Sequence, residues 1–295
     1  MVEGAALEKR CTRKGTEGSN PSLSANVYYK NNMEFLKFEE QIFLSTTLIE
    51  NLTDGEMGTG FFIIKPVSEK KNKILLFSNK HVFWGKKDQN NLNAEKNIRL
   101  TFHKKDTDGN FKLGETHSIT GFLKRKGGGY FDHHNENVDV ACANISNLAN
   151  KGLNLNIMGL HINDFSDFVR SDIFAGTKVL FVGYPTGYYD KKHFLPIMRS
   201  GTIASIPSVN FEGKQQILLD AQVFPGSSGS PVFISLQNKY KLLGIVSDAV
   251  RKKLDFIELE ATNHANIEKV SIPVEWIGLG LLFSIETIKE VYDLA

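Results

Sequence analysis

Three serines lie in one short stretch rich in glycine and proline, VFPGSSGSPVF at residues 223 to 233. A serine hydroxyl is a weak nucleophile. It becomes catalytic only with a base that takes its proton, a group that orients the base, and donors for the oxyanion. The sequence offers two arrangements that would give Ser228 such partners, and they require different structures around the serine.

The first arrangement is the nucleophile elbow, in which a serine between two spaced glycines lies on a sharp turn from a strand into a helix. Ser228 has Gly226 before it, but Ser230 stands where the second glycine is required. Pro231 then opens the segment PVFISL, which has the composition of a strand. The sequence context therefore excludes the elbow.

The second arrangement needs a histidine, an aspartate and a serine in this order along the chain. His81 follows an apolar segment in LLFSNKHVFW, and Asp139 interrupts the apolar run NVDVACANI. A lone histidine near a strand end is usually structural, and a carboxylate in a strand usually faces solvent. In this order, and each at a strand edge or turn, His81, Asp139 and Ser228 form a candidate catalytic set.

The elements that must position these residues are mostly strands. Asp108-Gly109 predicts a hairpin turn, and helix-like spacing appears only in MEFLKFEEQ, from residue 33, and after Ser284, which would cap a terminal helix. Parallel sheets need crossover helices, so the pattern favours antiparallel β structure. Ten short segments rich in β-branched and aromatic residues predict strands, at 42–49, 58–64, 73–78, 98–103, 138–145, 177–184, 200–206, 216–223, 231–236 and 241–247.

From about Gly58 to Val291 the sequence resembles the trypsin-like (chymotrypsin-fold) serine peptidases, particularly the bacterial branch without disulfides. The motifs GTGFFI, SNKHV, DVAC, VLFVGYP, GSSGSPVF, KLLGIVS and IGLGLLFSIETI occur in the order that the family shows. The resemblance implies an all-β fold of two six-stranded antiparallel β-barrels with a catalytic cleft between them, a short N-terminal helix and a C-terminal helix. Residues 33–165 would form the first barrel and residues 166–295 the second.

The resemblance also implies roles for individual residues. Ser228 would attack the scissile carbonyl, His81 would accept and return the proton, and Asp139 would orient the imidazole. The backbone N–H groups of Gly226 and Ser228 would form the oxyanion hole. Digestive members have an aspartate just before the nucleophile that switches on the zymogen. Ser227 stands there, so the protein is expected to be constitutively competent or to be switched by a partner or a loop.

The resemblance implies that four residues bind substrate. Gln222 stands six residues before the nucleophile, at the position that lies at the base of the S1 pocket in the family, and Ser247, Asp248 and Ala249 belong to the segment that resembles the family's cleft strand. With no acidic residue at the pocket base, strict selectivity for arginine or lysine is not expected. Asp248 would favour basic substrates only if it points inward, which the sequence leaves open.

Composition limits the partners and the compartment. A formal net charge of +2 over 295 residues gives no general attraction to nucleic acid, and no apolar run is long enough to span a membrane. Two cysteines, Cys11 and Cys142, allow at most one disulfide, which favours a reducing compartment. We therefore expect a cytoplasmic, bacterial protein that acts on protein or peptide substrates, with no nucleic acid or membrane partner. An activating protein partner is one alternative for its control.

Residues 1–32 are predicted to be a disordered or misassigned leader. The first 26 residues resemble the translation of a bacterial serine tRNA gene, which suggests that translation starts at Met33. The charge argument does not depend on this segment.

No metal or cofactor is expected. His133 and His134 lie in a polar loop with no third ligand at suitable spacing, and Asp106 to Asn110 resembles a calcium loop except that Phe111 replaces the required glycine. The sequence thus predicts a serine endopeptidase acting through an acyl-enzyme. The alternative is a catalytically silent relative that serves as a peptide-binding or regulatory module.

Overall fold

The computed structural model describes residues 38–69, 71–88, 91–107, 111–149, 153–167, 172–237, 239–253 and 274–295. The predicted leader, the first residues of the predicted N-terminal helix and the hairpin turn at Asp108-Gly109 lie outside these ranges. Within them, no helix combines the length and the apolar character that crossing a membrane requires.

The described chain is built mainly from strands. Four helices accompany them: α1 Phe38–Leu44, α2 Lys80–Asp88, α3 Ser146–Ala149 and α4 Ile285–Leu294. The strands are β1 Thr46–Asn51, β2 Glu56–Ser68, β3 Lys71–Ser78, β4 Glu95–Lys105, β5 Phe111–Lys124, β6 Tyr130–Asp132, β7 Ala141–Asn144, β8 Leu155–Asn156, β9 Lys178–Gly183, β10 Ile197–Ile203, β11 Gln216–Asp220, β12 Pro231–Leu236, β13 Lys239–Lys253 and β14 Val274–Ser284.

The C-terminal half forms the predicted closed barrel. Its six strands pair in the order β10-β11-β14-β13-β12-β9, and the ring closes between β9 and β10. All of these pairings are antiparallel. The alternation of apolar and polar residues along the strands directs one set of side chains into the barrel, where Leu219, Val232 and Leu282 are fully buried.

The N-terminal half differs from the predicted first six-stranded barrel. It is an eight-stranded sheet in the order β5-β4-β1-β2-β3-β7-β6, with β8 paired to β4. Among the described residues, β5 and β6 lie at the two ends of the order and do not pair with each other. A physical reason is that β6 has only three residues and follows a turn with positive φ at Gly127 and Gly129, so little strand is available to close the ring.

One apolar cluster joins the two halves and the terminal helix. Phe61 and Phe77 of the first sheet pack in the same cluster as Val182 and Phe233 of the barrel and Ile288 of α4. Burial of each such side chain contributes about 1.5–3 kcal/mol before the entropy of ordering is subtracted. The cluster therefore fixes the position of one half against the other, which a site at their junction requires.

Three local predictions need correction. The segment 42–49 was expected to be a strand throughout, but its first residues belong to α1, because the hydroxyls of Ser45 and Thr46 both donate to the Ile42 carbonyl and end the helix there. Asp139 precedes β7 instead of lying within a strand. Ser284 precedes α4 as predicted, but its side chain makes no capping hydrogen bond; Thr287 donates instead to the Ser284 carbonyl, at 2.7 Å.

Candidate active site

The structure brings His81 and Asp139 together, as the sequence order suggested. His81 lies in the first turn of α2, directly after β3, and its Nδ1 is 2.5 Å from Oδ2 of Asp139. The other carboxylate oxygen, Oδ1, accepts the backbone N–H of His81 at 3.1 Å. The carboxylate thus holds both the ring and the backbone of the histidine. A proton on Nδ1 leaves Nε2 free to accept one.

Two residues that precede the histidine hold the aspartate segment in place. Asn79 donates to the backbone carbonyl of Asp139 at 2.6 Å. Lys80, which is only 3% exposed, donates to the carbonyls of His133 and Asn135 at 3.0 and 3.2 Å. Burial lowers the pKa of Lys80, and the charges of Asp132 and Asp139 oppose that shift. The three-residue run Asn79 to His81 therefore anchors the loop that carries Asp139.

The Asp139 carboxyl group is held in its ionised form. Burial by itself would raise its pKa, but the side-chain and backbone hydrogen bonds from His81, together with the nearby Lys80 charge, bring the pKa below its usual value. Asp139 is therefore an anion at neutral pH.

The nucleophile candidate lies on a fixed turn. Ser227 N–H donates to the Phe224 carbonyl at 3.0 Å, which closes a four-residue turn with Pro225 and Gly226 at its centre. Gly226 has φ +85°, as the third position of a type II turn requires. A side chain at Gly226 would collide with the Tyr184 carbonyl oxygen. Both observations explain the glycine, and they agree with a rigid turn at this place.

Every carbonyl from Phe224 to Ser228 accepts a hydrogen bond. Thr186 N–H donates to Pro225 at 2.5 Å, the hydroxyl of Thr59 donates to Gly226 at 2.8 Å, and Thr59 N–H donates to Ser228 at 2.9 Å. The carbonyls of Phe224 and Ser227 accept hydrogen bonds from the N–H groups of Ser227 and Ser230, within the same segment. The backbone of the turn is therefore held from both halves of the molecule.

In contrast, the N–H groups of Gly226 and Ser228 make no hydrogen bond within the described parts of the chain. In a trans peptide the C=O and N–H point in opposite directions. Because the Pro225 carbonyl points at Thr186, the Gly226 N–H points away from it. Two open N–H groups in one turn are the arrangement that an oxyanion hole needs.

The side chain of Ser228 makes no hydrogen bond with His81. Its hydroxyl donates to the Ser247 carbonyl at 2.9 Å, and since a hydroxyl has one proton, it cannot donate to the imidazole at the same time. The register between β13 and β14 shifts between Val246 and Asp248, so Ser247 lies in a bulge. The bulge takes the Ser247 carbonyl out of the ladder and leaves it available to the serine.

The predicted substrate-binding residues separate into two places. Ser247 and Asp248 line an open pocket together with His81, Asp139 and Lys86. Asp248 therefore faces the cleft, which the sequence had left open. Lys86, which was not predicted from the sequence, lines the same pocket.

The other two predicted substrate-binding residues do not line this pocket. Gln222 is exposed, with its side-chain oxygen 3.5 Å from the guanidinium of Arg199, and Ala249 is a buried residue of β13. The assignment of Gln222 to the base of a pocket has no support in this arrangement.

The two serines beside Ser228 are buried. Ser227 and Ser230 are 1% and 0% exposed, and neither hydroxyl has a hydrogen-bond partner among the described residues. Ser230 packs so closely on Gly183 that a side chain at that glycine would collide with its hydroxyl. Both act as small residues behind the turn.

The structure also places Glu290 of α4 beside His133 and His134, with the ligand atoms of all three within 4.8 Å of one another. The spacing along the chain indicated no third ligand here. However, Nδ1 of His133 accepts the Asn135 N–H at 3.1 Å, so a neutral ring carries its proton on Nε2, which lies 2.9 Å from Glu290. A protonated Nε2 has no lone pair for a metal. The cluster fits a histidine–carboxylate contact between the loop and α4, and the expectation of no metal site stays a prediction.

Comparison with known proteins gives the family. The model of the family described as "Trypsin-like peptidase domain" matches residues 58–245. The chain belongs to this family. The matched span of the trypsin-like domain contains His81, Asp139 and Ser228 and ends just before the pocket residues Ser247 and Asp248.

Among solved structures, the crystal structure of Deg5 is similar, with a TM-score of 0.44 and 15% sequence identity, covering 73% of this chain and 88% of the Deg5 chain. No curated protein matches the sequence.

Sequence reasoning missed the residues that support the site of this trypsin-like domain. Asn79 and Lys80 stand directly before His81, and Lys86 follows it within the same helix, so their proximity in sequence is a signal that was available. Thr59 gives no comparable signal. It stands in a strand segment, GTGFFI, far from the serine, and threonine is common in strands.

Proposed function

We propose that this trypsin-like domain is a serine endopeptidase that hydrolyses peptide bonds in proteins or peptides. The observation that carries the proposal is the nucleophile turn, whose carbonyls from Phe224 to Ser228 are all bonded while the N–H groups of Gly226 and Ser228 stay open. Such a turn stabilises an anion that forms beside Ser228. His81, held by Asp139 across the cleft, supplies the base.

The reaction follows from these groups. Oγ of Ser228 attacks the scissile carbonyl carbon as its proton passes to Nε2 of His81, and the carbonyl oxygen becomes an anion held by the two open N–H groups. The C–N bond then breaks, and the imidazolium returns the proton to the leaving amine. Water adds to the acyl-enzyme by the same route, which releases the acid and restores Ser228.

The step that has to precede attack is a rotation of the Ser228 side chain. Its hydroxyl must leave the Ser247 carbonyl and turn toward His81. One neutral hydrogen bond contributes about 0.5–1.5 kcal/mol to the resting orientation. This is small beside the barrier of a peptide hydrolysis, so the resting orientation does not oppose catalysis appreciably.

We also propose that the cleft accepts polar and charged side chains, since Lys86, Asp139 and Asp248 line it together. Strict selectivity for arginine or lysine is not part of the proposal. The cytoplasmic location stays a proposal from cysteine content, and an activating protein partner stays a prediction.

The proposal is tested by incubating the purified protein with an unfolded protein substrate and with a library of quenched fluorescent peptides. We expect cleavage that Ser228→Ala abolishes. Ser235→Ala, which changes an exposed serine on β12, serves as the matched control and is expected to cleave at the wild-type rate. Cleavage that persists in the Ser228 variant would contradict the assignment of the nucleophile.

One observation favours the alternative function, a silent peptide-binding module. The Ser228 hydroxyl is bonded to Ser247 and not to His81. If this orientation is permanent, the protein would bind peptides in the cleft without cleaving them. In that case the wild type and Ser228→Ala would bind library peptides with the same affinity, and neither would release fragments.

A further inference from the structure

We propose that Thr59 is a positioning residue for the oxyanion hole, and that its hydroxyl keeps the Gly226 N–H directed at the substrate carbonyl. This inference rests on the proposed function and assigns a positioning residue to the same site. Thr59 lies on β2, in the N-terminal half, whereas the turn that it contacts belongs to the C-terminal half.

The contacts of Thr59 converge on the nucleophile turn. Its N–H donates to the Ser228 carbonyl at 2.9 Å, and its hydroxyl donates to the Gly226 carbonyl at 2.8 Å. The hydroxyl oxygen in turn accepts the Tyr184 N–H at 3.0 Å. Thr59 is fully buried, so none of these bonds competes with solvent. One side chain thus ties the turn to the end of β9.

The place of Thr59 in the sheet makes these bonds available. The β2–β3 ladder begins at Phe61, so the edge of β2 at Thr59 is not covered by β3. The nucleophile turn occupies that edge, and the hydroxyl of Ser78 donates to the Thr59 carbonyl at 2.6 Å. Gly229 is required here as well, because a side chain on it would collide with the same carbonyl.

The hydroxyl acts on the one residue of the turn that can rotate most freely. Glycine populates positive and negative φ about equally, so the peptides on either side of Gly226 are the least constrained in the turn. Thr186 N–H holds the carbonyl before Gly226, and the Thr59 hydroxyl holds the carbonyl after it. No ion pair between described residues involves the turn. Without the hydroxyl, the Gly226 carbonyl would lose its hydrogen bond from the N-terminal half, and rotation at Gly226 could turn its N–H away from the substrate carbonyl.

The test compares Thr59→Val, which keeps the shape and removes the hydroxyl, with Thr59→Ser, which keeps the hydroxyl. We expect Thr59→Val to lower kcat roughly 10- to 100-fold, less than the loss of an entire oxyanion donor, with KM within about twofold. We expect Thr59→Ser to stay within about threefold of the wild type. The split between kcat and KM and the rescue by serine distinguish positioning from a general loss of structure.

The matched control is Thr47→Val. Thr47 is 2% exposed on β1, and its hydroxyl donates to the Thr101 carbonyl at 3.0 Å, so the variant loses a comparable buried bond away from the site. We expect it to keep the wild-type kcat. If Thr59→Val does not fold, Thr59→Ala replaces it, and the serine variant must then exceed the alanine variant at least about tenfold.

Three results would overturn the inference: a wild-type kcat in Thr59→Val, an equal loss in Thr47→Val, or a serine variant as slow as the variant without a hydroxyl. Failure of the proposed function is distinguishable from these, because it would appear as a wild-type protein that cleaves no peptide at all.

Discussion

The two walls of the cleft are held by different forces. On the side of the first sheet, His81 and Asp139 are held through a charged carboxylate, with the buried Lys80 beside it. On the side of the barrel, the turn around Ser228 is held by backbone carbonyls and the neutral hydroxyl of Thr59. The first wall is held by charged groups and therefore depends on pH, whereas the second is held by neutral hydrogen bonds.

The difference also extends to the side chains of His81 and Ser228. The His81 ring is already oriented by Asp139, while Ser228 has a fixed backbone but a side chain bonded to Ser247. In the proposed mechanism the base is therefore oriented at rest, whereas the nucleophile needs one bond rotation. Changes on the charged wall should therefore affect the chemistry most, and changes on the other wall should affect it less.

Asp139→Asn removes the negative charge from the first wall and has the largest expected effect. The amide keeps the volume but loses the anion and leaves the imidazole in the wrong tautomer, so we expect kcat to fall roughly 10⁴-fold with the fold intact. Steady-state kinetics and circular dichroism measure the two quantities. A loss of less than about tenfold would show that Asp139 does not orient the base.

Gly226→Ala distorts the turn around Ser228, which forms the neutral wall. The new methyl group would collide with the Tyr184 carbonyl and strain a residue at φ +85°, so the turn must shift and lose an oxyanion donor. We expect kcat to fall roughly 10²–10³-fold. Gly213→Ala is the matched control, because Gly213 has φ +74° with open space around its Cβ position. Equal losses in both variants would point to backbone strain alone.

The pH dependence sharpens the distinction between the walls. Only a neutral imidazole can accept the proton of Ser228, so kcat/KM should fall in acid, where the imidazole is protonated. Asp139 stays ionised across this range because its pKa lies below the usual carboxyl value. In the Thr59→Val variant the same profile should appear at a lower plateau. A displaced profile in that variant would contradict a purely geometric role.

His103 is not among the residues that line the cleft, and its protonation should change the stability of the fold without changing kcat. Burial lowers the pKa of His103 to about 4, so the unfolded chain binds a proton between about pH 6.5 and 4 that the folded protein does not. Stability should therefore fall by about 3 kcal/mol as pH drops through this window. His103→Gln should reduce that loss in chemical denaturation. The variant should keep the wild-type kcat at neutral pH.

The sequence predicted the fold better than the contacts within it. The strand pattern predicted the antiparallel architecture, the change of period after Ser284 predicted the terminal helix, and motif order grouped His81 with Asp139, which the structure brings into contact. The catalytic roles of His81, Asp139 and Ser228 stay predictions. The strand pattern could not locate the start of β1, because an apolar run such as IFLSTTLI fits a helix or a strand equally well. Thr59 could not be assigned because its contacts with Gly226 and Ser228 depend on how the two halves pack.

The substrate residues show the same limit. Ser247 and Asp248 were predicted for the cleft and line it, whereas the family resemblance alone placed Gln222 in a pocket. The direction of its exposed side chain, toward Arg199, depends on the packing of β10 beside it. Distance along the chain fixes the backbone of such a residue better than the direction of its side chain.

The most direct test of the central claim, that Ser228 is a nucleophile activated by His81 in a preformed oxyanion hole, is covalent labelling by a fluorophosphonate, followed by intact mass measurement. We expect one adduct per chain, on Ser228, which forms in the wild type and in Ser235→Ala and is lost in Ser228→Ala and His81→Ala. A folded wild-type protein that forms no adduct between about pH 6 and 9 would contradict it.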